Sequence, residues 1–215
     1  MYAIVERYYK INRISLTMLG LWPYQQSYLT QIQQILFASI LLAFMLAQLL
    51  VFITRQYNAE LLFMNLSLIF PTVLVTMLYL FFTVKINSVK LLLEQIQDDC
   101  NLLKDKLEID ILEKYASNFG FFIQITMALC YFGAFSFGIL QYLPLILDVI
   151  LPSNKSQPLQ LFVYTEYLIN PNKYIHFMIL HEWLTICIGL TTVGSSGLTC
   201  LVYVAHLCML LKIAR

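Results

Sequence analysis

Residues 35–53 read ILFASILLAFMLAQLLVFI, and none of these side chains is charged. An α-helix rises about 1.5 Å per residue, so about 20 consecutive apolar residues are enough to cross the hydrocarbon core of a bilayer. A charge at the bilayer centre costs about 2.5–3.5 kcal/mol on insertion scales, so long charge-free stretches are informative. We therefore predict a first membrane-spanning helix over residues 33–53.

Three further stretches have the same character. They cover residues 61–84, 115–147 and 183–211, and charged residues bound each of them on both sides. Within them we predict spanning helices over residues 61–84, 118–147 and 183–211. The predicted fold class is therefore an all-α integral membrane protein with four transmembrane helices.

The composition agrees with a membrane protein. Of the 215 residues, 60% are hydrophobic and 12% are charged, whereas a typical soluble domain carries about 25% charged residues. A soluble fold of this size would leave a large apolar surface in water. The net charge of +1 provides no electrostatic footprint for nucleic acid, so we expect membrane lipid as a partner and no nucleic acid.

The distribution of basic residues predicts the topology. Ten of the thirteen Lys and Arg residues lie before the first span, in the connection 85–117, or after the fourth span. The other three are Arg55, Lys155 and Lys173. Because positive residues favour the cytoplasmic side, we predict that both termini are cytoplasmic. Asn154 begins an Asn-Lys-Ser sequon in the loop placed outside, 148–174, and is a candidate glycosylation site.

The segments between the spans allow alternatives. Residues 1–30 are predicted to form a cytoplasmic and interfacial segment. The connection 85–117 carries an apolar stripe at helical spacing, typical of two packed helical extensions or of a surface for a partner. The loop 148–174 is predicted to be either a folded lid over the outer helix ends or an irregular connection.

No arrangement of residues predicts catalysis. His181-Glu182 lacks the second histidine of a zinc-protease motif, and Gly194-Ser195-Ser196-Gly197 lacks the pattern of a nucleophile elbow. The three histidines are interpreted as satisfied or interfacial, and the five cysteines as buried thiols. We expect no enzyme activity, no metal and no cofactor. The small residues of 194–197, and Ala134 with Gly138, favour close helix packing.

Aromatic, sulfur-bearing and small polar residues within the spans form the candidate ligand site. Grouped in the outer halves of the helices, they would line an apolar cavity for a small volatile or lipophilic molecule. Ordinary bundle packing or lipid contact is the alternative. The candidates are Met77, Tyr79, Phe82, Tyr131, Phe132, Phe135, Ser136, Ile188, Thr191 and Thr192, and Tyr142 belongs to the same group of the third span.

Three stretches resemble the insect odorant receptor family, in particular its hymenopteran-type expansions. Residues 8–25, YYKINRISLTMLGLWPYQ, resemble the segment that leads into the first helix. Residues 167–183, YLINPNKYIHFMILHEW, resemble the start of the fourth helix, and residues 206–214, HLCMLLKIA, resemble its cytoplasmic exit. The resemblance extends over essentially the whole chain, and its order and spacing match the predicted topology.

The resemblance implies an odorant-binding subunit of a seven-helix receptor in the plasma membrane. Members assemble with an odorant co-receptor as heteromeric tetramers and open as odorant-gated, non-selective cation channels. The family's pocket lies among helices two, three, four and six and has no strict motif, so no residue is carried over individually. The pore is built from the seventh helix, so we expect this chain to be an N-terminal fragment through the fourth helix.

Two other classes remain open. A related gustatory receptor has the same topology and a more polar ligand, and responses to tastants without the co-receptor would favour it. A small four-helix membrane scaffold or transporter subunit would be stable without partners. A transporter usually carries an intramembrane charge pair, and the predicted span cores contain none.

Overall fold

A computed structural model describes residues 10, 12–25, 27–54, 59–102, 106–150, 159 and 161–213. The described residues are helical or irregular, and none of them lies in a strand. The all-α fold is thereby confirmed. A short helical stretch covers residues 12–18, and five helices follow: α1 is Tyr28–Thr54, α2 is Ala59–Val84, α3 is Ile86–Leu102, α4 is Lys106–Ile150 and α5 is Pro171–Ile213.

Four of these helices contain a stretch that is long and apolar enough to cross a membrane. The stretches are Tyr28–Thr54, Ala59–Val84, Gln124–Pro144 within α4 and Lys173–Cys208 within α5. Their 27, 26, 21 and 36 residues all reach the length needed for the hydrocarbon core. The prediction of four helices capable of spanning a membrane is therefore confirmed.

The helix that contains the predicted fourth span begins twelve residues earlier than that span, at Pro171 instead of residue 183. The Asn170 carbonyl accepts hydrogen bonds from the amides of Lys173 and Tyr174, at 3.3 Å each. Proline suits the first turn of a helix, where its missing N–H is not needed. The prediction used Glu182 as a boundary, whereas helix ends are set by capping; part of the predicted loop 148–174 is therefore helical.

The described residues belong to two compact units. Unit 1 takes its residues from Met1–Ile35, Leu78–Leu129 and Thr191–Arg215, and unit 2 takes its residues from Leu36–Met77 and Cys130–Leu190. The connection 85–117 falls in unit 1, where its described part is helical over α3 and the beginning of α4. Each unit is described separately below.

In unit 1 the helical stretch 12–18 ends in a Schellman motif. Gly20 has a φ of 72°, its amide donates to the Thr17 carbonyl at 3.1 Å, and the Leu21 amide donates to the Leu16 carbonyl at 2.7 Å. Glycine takes this left-handed conformation without the steric cost that a Cβ would bring. Leu16 and Leu21 are both buried, as the apolar contact of this motif requires.

Side chains of α1 and α2 hold the end of that stretch. Gln33 Nε2 donates to the Met18 carbonyl and Gln34 Nε2 to the Gly20 carbonyl, at 2.6 Å each. The Tyr79 hydroxyl donates to the Leu19 carbonyl between them, at 3.0 Å. The last carbonyls of a helix have no partner within the helix, so these three donors fix the N-terminal segment onto unit 1.

A second contact in unit 1 joins α4 to α5. Met127 packs against Leu198 and Leu201, and its sulfur lies where a Cβ on Gly194 would be. A Cβ on Gly197 would meet no atom within 4 Å. Only the first of these two glycines therefore brings the helices close together.

The helices expose large apolar side chains in both units. Phe70 and Met77 on α2, and Phe121 and Phe132 on α4, are each about two-thirds exposed. Such surface is unfavourable in water and ordinary for a helix that faces lipid tails. The exposed side chains agree with a protein embedded in a membrane.

Candidate functional site

An apolar cavity of about 280 Å³ lies in unit 2, between the second half of α4 and the first third of α5. This volume is close to the lower end of the range for ligand pockets, about 300–1,000 Å³. The α4 wall consists of positions 135, 138, 139, 142 and 146, which recur at helical spacing on one face. The lining residues are Phe135, Gly138, Ile139, Tyr142, Ile146, Ile179, Leu180 and Trp183.

Trp183 forms a part of the cavity wall that contacts α4 directly. Its indole Nε1 donates to the Ala134 carbonyl at 3.2 Å. A Cβ on Gly138 would lie 2.9 Å from that nitrogen and 3.1 Å from Cδ1. The absence of a side chain at position 138 therefore lets the Nε1 edge of the indole approach the α4 backbone. The interpretation of Ala134 and Gly138 as packing positions is consistent with these contacts.

Glu182 precedes Trp183 and is buried, with 1% of its surface exposed. Its Oε2 accepts a hydrogen bond from Gln141 Nε2 of α4 at 2.8 Å, and its Oε1 accepts one from the Val163 amide at 3.2 Å. Burying a carboxylate is costly unless hydrogen bonds replace its water. One carboxylate therefore joins α5 both to α4 and to the segment that precedes α5.

His181, the residue before Glu182, has partners on both ring nitrogens. Tyr167 Oη lies 2.8 Å from Nδ1, and the Ile40 carbonyl of α1 lies 3.1 Å from Nε2. Burial is the main cause that raises the pKa of Tyr167, so its hydroxyl keeps the proton that it donates. Because a carbonyl only accepts, the neutral imidazole carries its proton on Nε2. His181 is a satisfied histidine, as the sequence predicted.

Residues 161–170, which lie between α4 and α5, are irregular and pack against other parts of unit 2. We call it the connecting segment. The Glu166 amide donates to the Ala47 carbonyl of α1 at 2.9 Å, and the Phe162 ring lies 5.0 Å from the Phe137 ring of α4. Irregular backbone is tolerated at membrane depth only when its polar groups find partners in the protein. Glu182 and Ala47 supply two such partners.

The predicted ligand-binding residues are distributed over both units. Phe135 lines the cavity. In unit 2, Met77, Tyr131 and Phe132 are exposed, Ser136 is half-buried and Ile188 is buried; in unit 1, Tyr79, Phe82, Thr191 and Thr192 are buried. Tyr142, from the same group of the third span, also lines the cavity and stacks on His176 at 6.0 Å. Asn154 lies outside the described residues.

Replacing Tyr79 by phenylalanine tests its role in unit 1. The substitution removes only the hydroxyl that donates to Leu19, so we expect a loss of about 1 kcal/mol in unfolding free energy and faster proteolysis of the N-terminal segment. Thermal unfolding in detergent and limited proteolysis measure both effects. The control Tyr28→Phe changes an exposed ring and should stay within about 0.5 kcal/mol. Equal effects of both substitutions would contradict the anchoring role.

Several site residues were not predicted: Gln141, Glu182, Trp183 and the isoleucines of the cavity. Glu182 carried the clearest signal, because an ionisable residue inside a spanning helix marks a functional position by default. Because the predicted fourth span began after Glu182, this residue was not recognised as a carboxylate inside a spanning helix. The prediction of buried cysteines was wrong for Cys200 and Cys208, which are exposed, because helix faces that meet lipid need not be polar.

A second cavity, with a polar lining, lies in unit 1. A cavity of about 240 Å³ at the start of α1 is lined by Gln25, Ser27, Thr30, Gln31, Gln34, Ile86 and Asn87. Its lining carries amides and hydroxyls where the cavity of unit 2 carries aromatic and aliphatic groups. Of the two, the cavity of unit 2 has the chemistry of a lipophilic ligand site.

The comparisons with known proteins give no relative. No family model, no curated protein and no solved structure matches the chain. The features of the chain that bear on function are the cavity of unit 2, its polar neighbours and the distribution of charge along the sequence.

Proposed function

We propose that this chain is the ligand-binding part of an odorant receptor subunit that contributes to an odorant-gated, non-selective cation channel. The observation that carries this proposal is the apolar cavity between α4 and α5, lined by Phe135 and Trp183. Its walls favour a small volatile or lipophilic molecule, because they offer many dispersion contacts and few hydrogen-bonding groups. The resemblance of residues 8–25, 167–183 and 206–214 to that family supports the same function.

The charge distribution supports a multi-pass arrangement in the plasma membrane with both chain ends on the cytoplasmic side. With that topology, the second half of α4 and the first third of α5 lie in the outer half of the membrane. The cavity would then be reached from the outer leaflet or the outer solution. A heteromeric tetramer with the odorant co-receptor completes the proposal.

In this mechanism the ligand acts by differential binding. An apolar molecule that contacts both α4 and α5 stabilises the conformation in which the two walls fit it. A ligand shifts a conformational equilibrium only by the difference in its affinity for the two states. Contacts that are mainly dispersive produce broad tuning, since they depend on size and shape more than on a particular polar group.

Binding is measurable with the tryptophans of the chain, which number two. In a Trp22→Phe background, Trp183 alone reports on the cavity, and 2-bromonaphthalene is an apolar probe that quenches indole emission. We expect saturable quenching in nanodiscs, and Phe135→Ala should weaken the apparent affinity about tenfold, since burial of such a ring stabilises by about 1.5–3 kcal/mol.

The matched control is Phe132→Ala, which removes a ring that does not line the cavity, one turn away on the same helix; both rings are exposed, at 72% for Phe132 and 61% for Phe135. It should leave the affinity within about twofold. Quenching that rises only linearly with probe, as expected for partitioning into lipid, would contradict the binding site. Equal losses for both variants would show that the rings act through general packing.

A transporter subunit is the second candidate, and the observation in its favour is Glu182. A buried carboxylate lies within the apolar stretch Lys173–Cys208, and such residues mark ion or substrate pathways in membrane proteins. Flux of an ion or solute through liposomes that contain only this chain would favour the transporter. Currents that require both an apolar ligand and the co-receptor would favour the receptor.

A further inference from the structure

Glu182 stands between two features of unit 2, the α4–α5 cavity and the connecting segment. Residues 183 and 142 line the cavity, while their neighbours Glu182 and Gln141 form a hydrogen bond of 2.8 Å on the adjacent helix faces. Together with the bond from Trp183 to the Ala134 carbonyl, at 3.2 Å, this bond ties the two cavity walls. The separation of the walls is thus linked to the position of the Glu182 carboxylate.

Among the described residues, the Glu182 carboxylate is the hydrogen-bond partner of the Gln141 side chain. The other polar atom of the Gln141 amide, Oε1, is buried and has no hydrogen-bond partner among the described residues. When α4 moves relative to α5, the Gln141 side chain has two options. It keeps its hydrogen bond and pulls the Glu182 carboxylate along, or it loses the bond and its Nε2 becomes a second buried polar atom without a partner. An unpaired buried polar group is unfavourable, so the carboxylate follows the helix.

The connecting segment contacts both helices of the cavity, α4 and α5, through two adjacent residues. Phe162 packs on Phe137 of α4, with ring centroids 5.0 Å apart, and the Val163 amide donates to Glu182 of α5. A change in the separation of α4 and α5 therefore moves Phe137 and Glu182, the two partners of the connecting segment, relative to each other. The connecting segment keeps both contacts when the separation between α4 and α5 stays unchanged.

We propose that Glu182 is a positioning residue that couples occupancy of the α4–α5 cavity to the connecting segment; the inference rests on the proposed ligand-binding function. A ligand that contacts both walls holds them at the separation at which the carboxylate accepts both hydrogen bonds. Occupancy then protects the Val163 amide, although the ligand touches neither Val163 nor Glu182. By linkage, a connecting segment held in place strengthens ligand binding by the same factor.

Hydrogen exchange in nanodiscs, with and without 2-bromonaphthalene, tests this coupling. In the unsubstituted chain, the probe should slow exchange of the peptide that contains Val163 by about fivefold. Glu182→Met has a side chain of similar length without a hydrogen-bonding oxygen, so it keeps neither of the two bonds. It should still bind the probe, within about threefold of the original affinity, without the change in exchange.

Two further variants make the test specific. Gln141→Leu leaves the Val163 bond in place and removes only the bond across the cavity walls, so it should also abolish the response to the probe; it serves if Glu182→Met does not fold. Glu94→Met replaces a half-exposed carboxylate that pairs with Lys90 at 3.7 Å and should respond as the unsubstituted chain does.

The outcomes separate the two proposals. Saturable quenching of Trp183 without any change in exchange overturns the coupling and leaves ligand binding intact. A full response in both Glu182→Met and Gln141→Leu overturns the role of Glu182. Absence of saturable quenching overturns the proposed function and the coupling with it. A merely structural Glu182 would lower stability in the variants while the response to the probe persisted.

Discussion

Replacing Gly138 by alanine is expected to weaken ligand binding about tenfold or more and to lower the unfolding free energy by about 1–3 kcal/mol. The new methyl group would lie 2.9 Å from the Trp183 nitrogen and 3.1 Å from its Cδ1. The indole would have to move away from α4, losing its bond to the Ala134 carbonyl. Because Trp183 is part of the cavity wall, its movement changes the shape of the cavity.

Gly133→Ala is the matched control for this prediction. It makes the same change five positions earlier on α4, where a Cβ meets no atom within 4 Å. Alanine is favoured over glycine inside helices by about 0.5–1 kcal/mol, so this variant should be slightly more stable and bind the probe unchanged. Thermal unfolding and quenching of Trp183 measure both variants. A Gly138→Ala protein that matches Gly133→Ala in both measurements would contradict the close approach.

Replacing Gly194 by alanine is expected to lower the unfolding free energy through a contact in unit 1. The sulfur of Met127 occupies the place of the added methyl group, and Met127 is itself buried against Leu198. The sulfur end of a methionine is flexible, so a change of rotamer relieves the contact, and the remaining loss of packing is about 1 kcal/mol, the low end for overpacking. Chemical unfolding in mixed micelles should show this loss.

Gly197→Ala supplies the comparison within the same helix. A Cβ there meets nothing within 4 Å, so the substitution should be neutral or stabilising by up to about 1 kcal/mol. The double variant Gly194→Ala with Met127→Ala removes the group that occupies the site. If Met127 is the cause, the cost of Gly194→Ala should largely disappear in that background, as non-additivity of neighbouring substitutions requires. Additive losses would point to another cause.

The helices were predictable because their signal is local. A run such as residues 35–53 is apolar at every position, and membrane insertion depends on that total more than on any partner. The bounds were less predictable. Glu182 ended the predicted fourth span, although the helix begins at Pro171, because the charge is compensated by hydrogen bonds from Gln141 and Val163 that lie far away in sequence.

The site was predicted in part, and the reason is geometric. An aromatic-rich stretch indicated Phe135 and Tyr142, which line the cavity. The same reasoning indicated Phe132, which does not line the cavity, and Tyr79, whose hydroxyl is bonded to Leu19. A residue type shows that a side chain is able to contact an apolar ligand, whereas the helix face on which it lies depends on the crossing of its neighbours.

The sequence by itself determined that this protein is helical and has four stretches able to cross a membrane, because hydrophobic length is a property of consecutive residues. It also indicated that small residues at 134, 138 and 194–197 favour close packing. Only the tertiary structure decided that Gly138 and Gly194 make the approach while Gly133 and Gly197 do not. It alone joined His181, Glu182 and Trp183 to three other parts of unit 2, because each contact depends on two chain segments meeting in space.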